Sequence, residues 1–245
     1  CGGCDSDERQ LQRGDRLEER GETERAVELY DEASASSDPE VGGLALLRAA
    51  EVQRAGDPAA AETSCESAVA RYPGSRPAAA CLTLIAALRR DRQDWWGAID
   101  AYREYLSQQA DEPSCEDVRH EIARCYVELG DPGQALVEWT ELLERHPDGR
   151  RAPAALLGVA HCHDLAGDTG LALTVYQRVR ERFPESPEAV EAVLGEAGCL
   201  EVQGDLDGAE ELYRVAVVDH PNPTMVERRL ELLRQSRTIR EPASP

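Results

Sequence analysis

The feature that most constrains this chain is a regular internal clock. Gly-Asp occurs at Gly130-Asp131, Gly167-Asp168 and Gly204-Asp205, spaced by 37 residues. One step back lies Gln93-Asp94, another step reaches Gly56-Asp57, and a step of 35 reaches Gly21-Glu22. Other residue types keep the same time. Five after each marker stands Ala26, Ala61, Ala98, Ala135, Ala172 or Ala209, and four further on Tyr30, Cys65, Tyr102, Trp139, Tyr176 or Tyr213. Seven before each marker the residue is small: Gly14, Ala49, Ala86, Ala123, Ala160 or Ala197. A repeat of this length means that each unit packs on its neighbours and that no single closed globule is required.

Each position has a physical reason. Glycine at the marker accepts the left-handed conformation that ends a helix. The following Asp caps the next helix, and in Asp57-Pro58 and Asp131-Pro132 a proline fits the first helical turn. Small residues let two helices approach, and an aromatic wedges between units. Pro73, Pro147, Pro184 and Pro221 stop the second helix. The third marker, Gln93, should give a looser turn than glycine does. Hydrophobic residues make up 41% of the chain but aromatics only 4%, which suits helices packed through Ala, Leu and Val and does not suit a sheet sandwich.

These residues resemble the tetratricopeptide repeat family, over roughly Asp7 to Pro221. The family unit is about 34 residues; the longer period here, with Arg182-Phe183-Pro184-Glu185-Ser186-Pro187-Glu188-Ala189, is similar to a subclass found in bacterial cell-envelope proteins, including outer-membrane lipoproteins. The resemblance implies an all-α, right-handed superhelical solenoid of about six TPR-like helix pairs. Residues 1–6 are expected as a flexible leader, 7–223 as the solenoid, 224–236 as a capping helix with Met225, Val226, Leu230, Leu232 and Leu233 on its apolar face, and 237–245 as a loose tail.

The resemblance also implies a protein-interaction scaffold with no catalytic role and no cofactor. First helices of such pairs line the binding groove. Counting back ten from each marker gives Leu11, Leu46, Thr83, His120, Leu157 and Leu194; counting back six gives a row that includes Arg124 and His161. A small, apolar groove with a polar fringe would accept an extended peptide or a helix.

The chain carries a formal charge of −21, and all 27 of its basic residues are Arg, with no Lys. So acidic a body is unsuited to nucleic acid and favours proteins or peptides with basic or neutral segments. No apolar run approaches the ~18 residues a membrane span needs. Cys1-Gly2-Gly3, followed by polar residues, resembles the mature start of a bacterial lipoprotein. That reading gives acylation of Cys1, a lipid anchor as the sole membrane attachment, and a periplasm-facing site on the outer membrane. Three envelope roles fit: pilus secretin assembly, barrel assembly, and division or peptidoglycan coordination. The alternative is a soluble cytosolic adaptor or co-chaperone.

Cys125, Cys162 and Cys199 share one repeat position and read as buried free thiols, since equivalent helices stack too far apart for a bridge. Cys65 and Cys81 lie on helices that touch, within reach of a disulfide in an oxidising compartment. His161-Cys162-His163-Asp164 does not set ligands on one helical face, so no metal site is assigned.

Overall fold

The computed structural model describes residues 4–109 and 114–240. Among the described residues there are thirteen helices and no strand. They run α1 (Cys4–Glu18), α2 (Thr23–Ala33), α3 (Pro39–Gln53), α4 (Pro58–Arg71), α5 (Arg76–Asp91), α6 (Trp95–Gln108), α7 (Cys115–Glu128), α8 (Pro132–Arg145), α9 (Ala152–Leu165), α10 (Thr169–Arg182), α11 (Pro187–Gln203), α12 (Leu206–Asp219) and α13 (Pro223–Arg240). Consecutive helices pack as pairs, and first helices of successive pairs also touch, α1 on α3 and α3 on α5, and separately α9 on α11. The chain divides into two compact units, Cys1–Val118 and Arg119–Pro245.

The caps form much as the repeat requires. The carboxylates of Asp57, Asp94, Asp131 and Asp205 each accept from the backbone N–H three residues on, at 3.0 Å. Ser75 and Ser186 cap α5 and α11 in the same way, at 3.2 and 3.3 Å. Each such cap satisfies a donor that the first turn of a helix leaves over. Asp168 makes no side-chain cap bond.

The turns hold two corrections. Gln93 stands in the left-handed region at φ 65°, beside Gly130 at 73°, Gly167 at 81° and Gly204 at 87°. Its turn is as tight as theirs: Gln93 N–H donates to Arg90 O at 2.9 Å and Asp94 N–H to Arg89 O at 2.8 Å, matching 2.9 Å for both bonds at Gly130 and Asp131. The strain of a side chain there, about 1–2 kcal/mol, is offset by closing both helix-end bonds. Gly56 has no positive φ; Gly56 and Asp57 both donate to Gln53 O, so the helical winding continues to the next cap.

The terminal elements differ from expectation too. α1 already covers Cys4–Ser6, because Asp5, Asp7 and Glu8 suit the positive end of a helix and no proline or glycine interrupts Cys4–Arg13. α13 runs on to Arg240, past the expected end at 236, with no breaker before Pro242. Cys1 lies outside the described residues, as do the last five residues of the tail.

Aromatic side chains wedge as the clock requires, but their seats are glycines. Tyr30 lies against Gly14, Trp139 against Gly158, and Tyr176 against Gly195. A methyl group at any of the three would overlap the ring. Trp139 is also fixed by its indole N–H, which donates to His120 Nδ1 at 3.1 Å. Cys125, Cys162 and Cys199 are buried and form no disulfide, and burial pushes the Cys162 and Cys199 thiols up to about 11. Cys65 and Cys81 are free thiols and fully buried. The neighbouring Cys81 thiol, with desolvation, pushes the Cys65 thiol far up.

Candidate partner-binding clefts

Within each unit the first helices stand side by side and leave clefts between them. In the first unit one cleft of about 420 Å³ lies between α3 and α5, lined by Leu47, Glu51, Arg54, Thr83, Leu84 and Ala87. A second, of about 490 Å³, spans α1, α3 and α5 and includes Leu11, Val41, Leu44 and Pro77. Leu47 and Ala80 line both, so the two form one apolar strip. Glu8, Glu40, Glu51, Arg54 and Arg76 line it as well.

The second unit's cleft, of about 530 Å³, lies between α9, α11 and α13. Leu194, Gly195 and Gly198 come from α11, Met225, Val226 and Arg229 from α13, and His161 and Asp164 from α9. The His161 ring stands edge-on to Tyr176, with centroids 5.7 Å apart. The imidazole is open to solvent at the cleft, and desolvation on the side packed against Tyr176 lowers its pKa, partly opposed by the charges of Glu191 and Asp164. Arg229 is held by Glu201 at 3.2 Å, and the same carboxylate accepts from the Tyr213 hydroxyl at 3.2 Å. A larger cleft of about 590 Å³ opens between α10, α11 and α12. At its wall the buried Glu196 carboxylate is bonded by Arg180 and by Gln177.

The expected groove residues divide. His161 and Leu194 line the second unit's cleft, and Thr83 lines the first unit's strip, its hydroxyl donating to Ala80 O at 2.8 Å. Leu11 borders the strip while belonging to the buried core. Leu46 and Leu157 are core residues, Leu157 only 6% exposed, and His120 is buried against Trp139. Arg124 is exposed and paired with Glu121 at 3.2 Å. The correction has a simple cause: one residue of slip turns a helix position by about 100°. Ten before the marker, Leu46, His120 and Leu157 turn inward while Leu11, Thr83 and Leu194 reach a cleft; nine before, Leu47 and Leu84 line the strip whereas Gly158 and Gly195 seat aromatic rings.

The sequence pattern of the tetratricopeptide repeat family matches residues 11–76, 120–187 and 166–223. The chain belongs to the tetratricopeptide repeat family, whose fold is a protein-interaction scaffold and is generally non-enzymatic. No curated protein matches in sequence. Among solved structures, PilF of Pseudomonas aeruginosa is similar with TM-score 0.62 at 17% identity, covering 93% of this chain and 98% of that one. PilW, described as a widely conserved type IV pilus biogenesis factor, gives 0.61 at 18% identity, covering 92% and 98%. YrrB, a TPR protein with an unusual peptide-binding site, gives 0.62 at 14%, covering 82% and 97%. At such identities the likeness is one of fold.

Proposed function

We propose that this protein is a scaffold that holds segments of partner proteins in the clefts between its first helices. The observation that carries this reading is the strip formed by Leu44, Leu47, Ala80 and Leu84. These side chains are half-buried on a face that no further helix of their unit covers among the described residues. Apolar surface left open on paired helices, rimmed by charge, is the usual mark of a docking groove.

In the same reading the scaffold works at the outer membrane, facing the periplasm and held there by acylated Cys1, in support of an envelope assembly such as a pilus secretin. Supporting this is the likeness of fold, over 92% of this chain, to PilW, a type IV pilus biogenesis factor. A second acyl chain would make such attachment stable, since one chain alone binds a membrane marginally.

The absence of Lys gives a clean test. Carbodiimide couples carboxylates to amines, so in native envelopes it joins this chain's acids to partner lysines without internal lysine bridges. Wild-type protein should yield discrete conjugates, and Leu47→Glu with Leu84→Glu should lose them while Val137→Glu, on α8, keeps them. Identical conjugates from all three would overturn the groove. Intact mass of the protein from the same envelopes should carry the acyl chains; an unmodified N-terminal cysteine would overturn the anchor.

A further inference from the structure

Six glycines sit well inside first helices. Gly14, Gly42, Gly158 and Gly195 are each filled by an aromatic ring, and Gly43 by Ser75 and Pro77. Gly198 is different: nothing lies within 4 Å of the place a Cβ would occupy, and the residue lines the α9–α11–α13 cleft. An interior helical glycine costs about 1 kcal/mol relative to alanine. At the other five positions packing explains that cost. At Gly198 no atom of the protein does, and the space above it belongs to the cleft.

The cleft also has a sign. Asp164 and Glu191 line it, and neither carboxylate has an arginine partner among the described residues; their titratable neighbour is His161, whose lowered pKa favours the neutral imidazole. The one arginine lining the cleft, Arg229, is already bound to Glu201. Leu194 and Met225, the latter 45% exposed, supply apolar contact. Resting on the scaffold reading above, we propose that this cleft seats an arginine or lysine of a partner protein, its alkyl stem over Gly198 and its charge toward Asp164 and Glu191. Such side chains lay an apolar stem along apolar surface while their charge meets a carboxylate.

The test uses the full chain and three dye-labelled peptides, Ser-Leu-Arg-Leu-Ser and the same peptide with norleucine or glutamate at the centre. Norleucine keeps the stem and removes the charge. The arginine peptide should bind saturably, and norleucine about tenfold more weakly, a difference of about 1.4 kcal/mol; glutamate should not bind. Combining Asp164→Asn with Glu191→Gln should bring the arginine peptide down to the norleucine level. Gly198→Leu should abolish binding without lowering the melting temperature, because leucine favours the helix more than glycine does. Arginine and glutamate peptides binding alike, no peptide binding at all, or binding that survives both sets of substitutions would overturn the proposal. The crosslinking experiment separates this from the scaffold reading: conjugates from wild type that persist in Gly198→Leu remove the cleft and leave the scaffold, whereas no conjugates from wild type removes the scaffold.

Discussion

The two units keep the same repeat and line their clefts with different chemistry. In the first, leucines and alanines line the strip beside acids and arginines of both signs. In the second, Gly195 and Gly198 line the cleft with Leu194 and Met225, beside His161 and the carboxylates of Asp164 and Glu191. Their interiors differ as well. The wedge position is Cys65 in one pair of the first unit, but Trp139, Tyr176 and Tyr213 in the second. Where Cys65 stands, the neighbouring Glu62 is held by Arg89 at 2.7 Å and by Arg92. The repeat thus fixes where a cleft lies, and the residues that face it decide what it can hold.

The largest effect that would sharpen this contrast is at the wedge. Trp139→Ala should cost about 3–5 kcal/mol, as large aromatic truncations in packed cores do. Cys65→Ala should cost about 1 kcal/mol, near the centre of the range for single substitutions. Chemical denaturation followed by circular dichroism measures both, and equal losses would break the distinction between the two kinds of wedge.

Next come two glycines three residues apart on α11. Gly195→Ala drives a methyl into the Tyr176 ring, and overpacking of this kind costs about 1–3 kcal/mol. Gly198→Ala, with open space above it, should instead stabilise by about 0.5–1 kcal/mol. Melting temperatures that move in the same direction would contradict the assignment of their environments.

Removing the first unit's buried acid should weigh somewhat less than removing the tryptophan. Glu62→Gln loses charge-assisted hydrogen bonds worth about 1.5–3 kcal/mol. Burial of the Glu62 carboxyl opposes ionisation, but bonds and charge from Arg92 and Arg89 outweigh it and hold the pKa below its ordinary 4.5. A depressed folded pKa means stability that is full above the ordinary value and lost as pH falls below it. The substitution should therefore remove part of the acid-induced loss in a melting series taken down through pH 4.5.

The smallest effect is at His161. Desolvation against Tyr176 lowers the pKa of this otherwise exposed imidazole below the ordinary 6.5. The unfolded chain then takes up the proton first, and stability falls as pH drops below that value. His161→Asn should flatten this shallow slope between about pH 6.5 and 5, whereas Glu62→Gln should leave that window unchanged. A slope insensitive to His161 would remove the link between the cleft and the interior against Tyr176.

Much of the architecture was legible because it is written in spacing. The Asp caps, the helix-stopping prolines and the small residue seven before each marker are local requirements of helix ends and close approach, so they survive reading one residue at a time. The seats of the aromatics were less legible. Gly158 and Gly195 lie nine before their markers, and only the packing shows that Trp139 and Tyr176 occupy them from the preceding pair. Of the residues expected in the groove, His161 and Leu194 line a cleft while Leu46, Leu157 and His120 are buried, because spacing alone does not fix which way a helix position turns.

The sequence by itself determined that this chain is a series of helical hairpins, since periodicity and capping are properties of neighbouring residues. Tertiary structure decided which side of each first helix is left uncovered, because a rotation of 100° per residue makes that choice depend on how helices pack. It decided too that Gln93 would turn as tightly as glycine while Gly56 would not, since the bonds closing a helix end outweigh the preference of a single residue.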